Sequence, residues 1–404
     1  MHSNAISYLE ELSFLEHQLQ LKFGKRIITY NDCHTLSQDV FKKTGSLISS
    51  QTFRRFFKLI KSTGCISRST ADILSIYCGY SNFGQLVNQQ LDLTQPSTGY
   101  QEAEIYKAFF EVEVPAIAKG EFNAVYSNAI SGILKRVFSD KYLYDMLIPM
   151  ISENPTAHNY FFEHFPYISG LGKGFGQGYT LYLKYKKDPE AQVFGNAMLF
   201  LSALLQRDYP TAKMYHNVIC TIDLALIKHP FVIARYLGTK ILNQHINGEA
   251  DAKQQCIELV IARLKAAESV NQHGFHSFDI EFELAIAEYL SLAGCFDLVI
   301  DILLPVYEKK HLITDGMDKG FWLMPMKIML IRAFAYTNRF TEANELIPLV
   351  GEINWLVEDY FNIQLLDAKI RMVTDATEQA AIGSDLTRPL FKTGFSYFEP
   401  IAGE

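Results

Sequence analysis

LIRAFAYTNRFTEANEL, residues 330–346, reads as the end of one helix, a tight turn and the start of the next. Apolar positions hold helical spacing as far as Tyr336, Thr337 to Arg339 break the pattern, and Phe340 opens a second run containing Ala343. The same arrangement of small turn, aromatic residue or Ala, and new helix recurs in KGEFNAVY at Phe122, QRDYPTAKMY at Tyr209, NGEADAKQQ at Ala250 and LAGCFDLVID at Phe296. The intervals are 87 residues from 122 to 209, 87 from 209 to 296 and 44 from 296 to 340, so the markers follow a period near 43 or 44. Ala250 stands about two residues early, and the marker expected near 165 is missing. Each period holds two helices, and such a pair buries both faces only by stacking on its neighbours.

Ala333, Tyr336, Phe340 and Ala343 occupy packing positions that resemble those of the tetratricopeptide repeat (TPR), and Ala285, Tyr289, Gly294 and Phe296 resemble it more loosely. The period exceeds that family's 34 residues, its first-helix Trp and Gly-Tyr signature is absent, and residues 140–187 fit poorly, so the expectation is a TPR-like array with long helices. Helical-pair repeats of other families with longer periods fit the same spacing. The expected fold is all-α: a small helix-turn-helix-like domain over 1–95, a TPR-like α-α superhelix of about six helical pairs over 100–382, and a non-periodic tail over 383–404 with four aromatic residues. That tail is expected to dock on the last repeat as a cap, with the groove as the alternative.

Composition limits the function classes. The 404 residues are 49% hydrophobic and 20% charged, which suits packed helical domains and not a disordered chain. No C-x-x-C pair occurs among the six cysteines, which read as reduced thiols. The start of the chain, with Glu10, Glu11 and Glu16, reads as an amphipathic helix and not a signal peptide, and Glu288, Asp297 and Asp301 interrupt the longest apolar stretch. A cytoplasmic protein outside the membrane is expected.

Net charge is −7 overall, yet residues 1–95 hold ten Lys/Arg against seven Asp/Glu, and 25–68 hold nine against two. Within that basic segment, SQTFRRFFKLIK (50–61) places Phe53, Phe56, Phe57 and Ile60 on one side of a helix and Gln51, Arg54, Arg55, Lys58 and Lys61 on the other. Further helices are expected at about 5–23, 32–44, 69–78 and 82–91, with a linker over 93–99. Residues 35–61 resemble a helix-turn-helix, whose second helix enters the major groove. The resemblance implies base or phosphate contacts from Gln51, Thr52, Arg54 and Arg55, and phosphate contacts from Lys42, Lys43, Lys58 and Lys61. A solvated basic face fits the same charges, and protein or RNA contact is a further reading.

Residues 67–87 resemble a second helix-turn-helix closed by Gly79-Tyr80; with Arg68 and Asp72 as its only charges, it reads as a brace for the basic helix. Residues 35–91 also resemble an N-terminal module found before helical repeats in bacterial proteins of unknown activity. Five alternating glycines, at 170, 172, 174, 176 and 178, match no phosphate-loop register and read as a close approach of helices or a mobile connection. No metal, cofactor or catalytic motif emerges from the histidines, cysteines or acidic residues.

The whole resembles the bacterial peptide-sensing transcription regulators. That resemblance implies duplex DNA as one partner, a peptide or protein in the repeat groove as another, and a homodimer. The alternative is a non-enzymatic scaffold or adaptor whose N-terminal helices cap the array.

Overall fold

Four alternate helices in the C-terminal part of the chain end in a left-handed residue, and a new helix begins two residues later. Arg207, Gly248, Gly294 and Asn338 have φ of 57°, 70°, 71° and 59°. The next amide reaches back five residues: Asp208 to Ala203, Glu249 to Gln244, Cys295 to Leu290 and Arg339 to Phe334, with N···O of 2.8–2.9 Å. This Schellman geometry satisfies carbonyls that a helix end leaves without partners. Tyr209, Ala250, Phe296 and Phe340 are the first residues of the helices that follow, so four of the sequence markers occupy equivalent positions.

The computed structural model describes residues 8–23, 25, 27–60, 66–87, 96–112, 124–268, 280–309 and 319–399. All regular structure among them is helical. The marker at Phe122, Lys61, residues 93–95 of the expected linker, and His273, His276 and His311 lie outside the described residues. The chain forms two compact units, 1–104 and 105–404.

In the first unit, α1 (Tyr8–Phe23) and α2 (Tyr30–Thr44) pack on α4 (Arg68–Cys78), and α2 also packs on α3 (Ser50–Phe56). Leu15, Leu19, Leu36, Val40, Phe53, Leu74 and Phe83 form the core between them. Residues 83–87 make one further helical turn. The expected linker is corrected in part, because residues 96–99 open α5 (Pro96–Phe110). Proline suits a first helical position, where its missing N–H would have had no partner anyway.

The second unit takes in the end of α5 from residue 105 and continues, among the described residues, with α6 (Ala124–Ser139) and α7 (Lys141–Ile151). Where the repeat marker near 165 is missing, the chain makes a π-helical turn at His158–Glu163 and 3₁₀ turns at Ile168–Lys173 and Phe175–Gln177, then enters α8 (Gly178–Tyr185). Five helical hairpins follow among the described residues. They are α9 (Pro189–Leu205) with α10 (Tyr209–Cys220), α11 (Pro230–Ile246) with α12 (Ala250–Glu268), α13 (Glu281–Leu292) with α14 (Phe296–Glu308), α15 (Lys319–Tyr336) with α16 (Phe340–Leu346), and α17 (Glu358–Met372) with α18 (Ala376–Thr393).

The first helices of these hairpins form a row, α9 on α11, α11 on α13, α13 on α15 and α15 on α17. Contact is close: a Cβ on Gly238 of α11 would lie 2.3 Å from the ring of Tyr289 on α13. Each helix of the row packs on its own hairpin partner. Residues 168–173 touch both α9 and α17, the first and last of the row, and residues 396–398 touch α9. The row therefore closes around its own chain, which explains why α9 is buried on nearly every side. Helix α18 continues past residue 383 to Thr393, because Gly383 and Pro389 sit inside it without ending it. The segment beyond that helix begins only at Gly394 and contains a 3₁₀ turn at Ser396–Phe398.

Candidate nucleic-acid interface

The helix that carries the basic residues is assembled by short-range hydrogen bonds. Thr29 and Asp32 form a reciprocal capping box at the start of α2, and Gly45, at φ 70°, ends that helix with its N–H on the Phe41 carbonyl. Ser37 donates from its buried hydroxyl to the Ile48 carbonyl and anchors the connecting turn. The Ser49 hydroxyl then accepts from the Thr52 amide at 3.1 Å and caps α3.

Phe53 and Phe57 are buried and stacked, with centroids 6.4 Å apart, and Phe56 meets Phe57 edge-on at 5.2 Å. The aromatic side of the stripe thus lies inside. The expected helix over 50–61 is corrected: α3 ends at Phe56, and Lys58 takes a left-handed φ of 58°. Lys58 N–H donates to Arg55 O at 3.1 Å and Leu59 N–H to Arg54 O at 2.8 Å, another Schellman closure. Packing favours this, since the turn carries Leu59 back onto the hydrophobic core.

The predicted contact residues consequently divide into groups. Gln51, Arg54 and Arg55 share α3; Gln51 and Arg55 are exposed. The half-buried guanidinium of Arg54 lies 4.5 Å from the centroid of the Tyr30 ring, and its Nε has no hydrogen-bond partner among the described residues. Thr52 is engaged in the cap, its hydroxyl 2.9 Å from that of Ser49. Lys42 is exposed at the end of α2. Lys43 pairs with Asp39 at 2.9 Å and lies over the Tyr77 ring at 4.9 Å. Burial raises the pKa of Asp39, but the Tyr77 hydroxyl and the Lys43 and Lys42 charges outweigh it and hold the carboxyl below its ordinary value. Lys58 is exposed; burial raises the pKa of Glu16, and the Lys58 charge opposes that rise only in part.

Tyr30 carries no signal in the sequence beyond its position beside the basic segment, and its stacking on Arg54 is a product of the fold. In the second helix-turn-helix-like stretch, Asp72 accepts from the Phe83 amide at 2.8 Å, which ties the turn at 83–87 to α4 and gives the acid an internal use.

Elsewhere, the alternating glycines are explained by packing. A Cβ on Gly172 would lie 2.3 Å from the Thr393 carbonyl oxygen, and one on Gly178 would lie 2.2 Å from the Tyr144 hydroxyl. The space left among Phe138, Tyr144, Phe161, Phe162, Tyr167, Leu171, Phe175 and Tyr179 is about 10 Å³, no more than a water needs. Among the described residues no group of three or more His, Cys, Asp or Glu side chains is placed to hold a metal, and no helix is long and apolar enough to cross a membrane.

Two buried arginines knit the row of helices. Arg235 of α11 faces Glu288 of α13 at 3.6 Å and donates to the Tyr289 hydroxyl at 3.3 Å. Burial pushes the Glu288 pKa upward, and the Arg235 charge opposes that rise. Arg332 of α15 donates to Asp367 of α17 at 2.7 Å and to the Ser291 carbonyl and hydroxyl at 3.1 and 3.0 Å.

Comparison with protein-family models, with curated proteins and with solved structures finds no match to this chain.

Proposed function

We propose that the chain is a non-enzymatic DNA-binding regulator: the N-terminal unit contacts duplex DNA through a helix-turn-helix-like element, and the TPR-like array binds a peptide or protein. The observation that supports the DNA reading is the surface of α3. Gln51 and Arg55 are exposed, Arg54 is supported by an exposed Tyr30, and neither arginine makes an ion pair among the described residues. Arg55 and Gln51 would face base edges or phosphates, with Arg54, Lys42 and Lys58 on the backbone.

Fluorescence anisotropy of the full chain with a labelled mixed-sequence duplex tests this. Affinity should fall steeply between 50 and 200 mM salt, with a log–log slope of about −0.9 for each phosphate neutralised. Arg54→Ala with Arg55→Ala should flatten that slope by about 1 for each phosphate left without its cation, at unchanged helix content. No binding at low salt overturns the DNA reading.

A second reading has its own observation. Leu47, in the turn before α3, is 76% exposed and Phe41 is 52% exposed, which favours protein contact through the N-terminal unit in place of DNA. In that case Leu47→Ser abolishes partner capture while Arg54→Ala leaves it intact.

A further inference from the structure

The helix row holds a peptide-like segment of its own chain, residues 394–399. After Thr393 the backbone turns at Gly394, with φ 74°, and packs so closely on residue 172 that a Cβ on Gly394 would lie 3.0 Å from the Gly172 carbonyl oxygen. Phe395 then buries completely, its ring 5.9 Å from that of Tyr360 on α17. The Tyr397 hydroxyl donates to the carbonyl of Leu292, the last residue of α13, at 2.6 Å. Phe398 lies against Tyr360 at 6.2 Å, with the Arg332 guanidinium 5.6 Å from its ring centroid. Arg207, in the turn after α9, donates to the main-chain carbonyls of Tyr397 and Glu399.

These contacts come from α13, α15, α17 and the α9–α10 turn, not from the last hairpin alone. They combine aromatic anchors, a helix-end carbonyl that needs a donor, and an arginine that reads peptide carbonyls irrespective of side chain. That is the chemistry of a site for a short turned segment with aromatic anchors, here a 3₁₀ turn at Ser396–Phe398. Arg207 supports this assignment because its left-handed backbone is unfavourable for a residue with a side chain, while glycine fills the equivalent place at 248 and 294. A side chain at that position supplies the two bonds to the segment.

We infer that the array carries a recognition site for an aromatic segment of the Phe-x-Tyr-Phe kind and that residues 394–399 hold it as an intramolecular ligand, so that a partner segment of the same chemistry binds by displacing them. The inference rests on the reading that the array binds a peptide or protein, and it is independent of DNA binding.

The test uses a labelled peptide with the sequence of residues 394–404, titrated against the full chain and against the full chain carrying Tyr397→Ala and Phe398→Ala. Those substitutions loosen the tethered segment while leaving Phe395 and the site itself unchanged. The peptide should bind the variant at least tenfold more tightly than the intact chain, and a peptide with the same two alanines should not bind. Equal binding to variant and intact chain overturns the inference. So does loss of the folded state in both this variant and the milder Tyr397→Phe, which would make the segment an integral part of the core. If duplex binding fails while the peptide discriminates, the regulator reading falls and the site stands.

Discussion

Gly178 occupies a place where only a hydrogen fits, because the Tyr144 hydroxyl would lie 2.2 Å from a Cβ there. Gly178→Ala should destabilise the chain by about 1–3 kcal/mol through overpacking, measured by urea denaturation, and Tyr144→Phe in the same chain should recover part of the loss. Glu281, the first residue of α13, offers a pH-dependent counterpart. Burial raises its carboxyl pKa to about 7. The native state therefore binds a proton that the unfolded state has released, so this group's contribution is fully present below the ordinary carboxylate range and is lost as pH rises through about 7. Glu281→Gln should reduce the fall in Tm between pH 5 and 8 relative to the unsubstituted chain; an unchanged pH profile would exclude the role. The sequence shows that residue 281 is acidic but not that it is buried, since burial is decided by neighbouring helices.

Elements were legible where their signals are local. Ser49, Ser67, Gly45 and Gly79 sit at the helix ends that their types suggest, because a cap needs only a few neighbouring residues. The end of α3 was not legible, since Phe57, Leu59 and Ile60 fit a continuing helical stripe and only the core behind them favours the turn at Lys58. With seven residues, α3 depends on its cap. Ser49→Ala should lower stability by about 1 kcal/mol in denaturant titration. Ser49→Asp, which caps equally well, should keep stability but weaken duplex binding by placing a negative charge beside Arg54 and Arg55. Helix α18 shows the converse limit: Gly383 and Pro389 look like breakers, yet the helix runs on to Thr393.

In the second unit as a whole, Arg332 joins three members of the helix row through Asp367 and Ser291. Arg332→Leu should cost about 3–5 kcal/mol, because it leaves Asp367 largely buried without its cation. The double variant Arg332→Leu with Asp367→Leu should be more stable than the single one, as read from the midpoints of thermal unfolding; a double variant that is less stable would show that the pair does not act as a unit. The sequence by itself determined the all-helical class, four hairpin turns of the array and the amphipathic character of α3, because periodicity and capping act over a few residues. Only the tertiary structure decided that the row closes on residues 168–173, that the alternating glycines serve packing, that Tyr30 supports Arg54 and that residues 394–399 pack on the row. Those contacts join residues far apart in the chain, and their stability comes from exclusion of water and complementary shape, which no local pattern encodes.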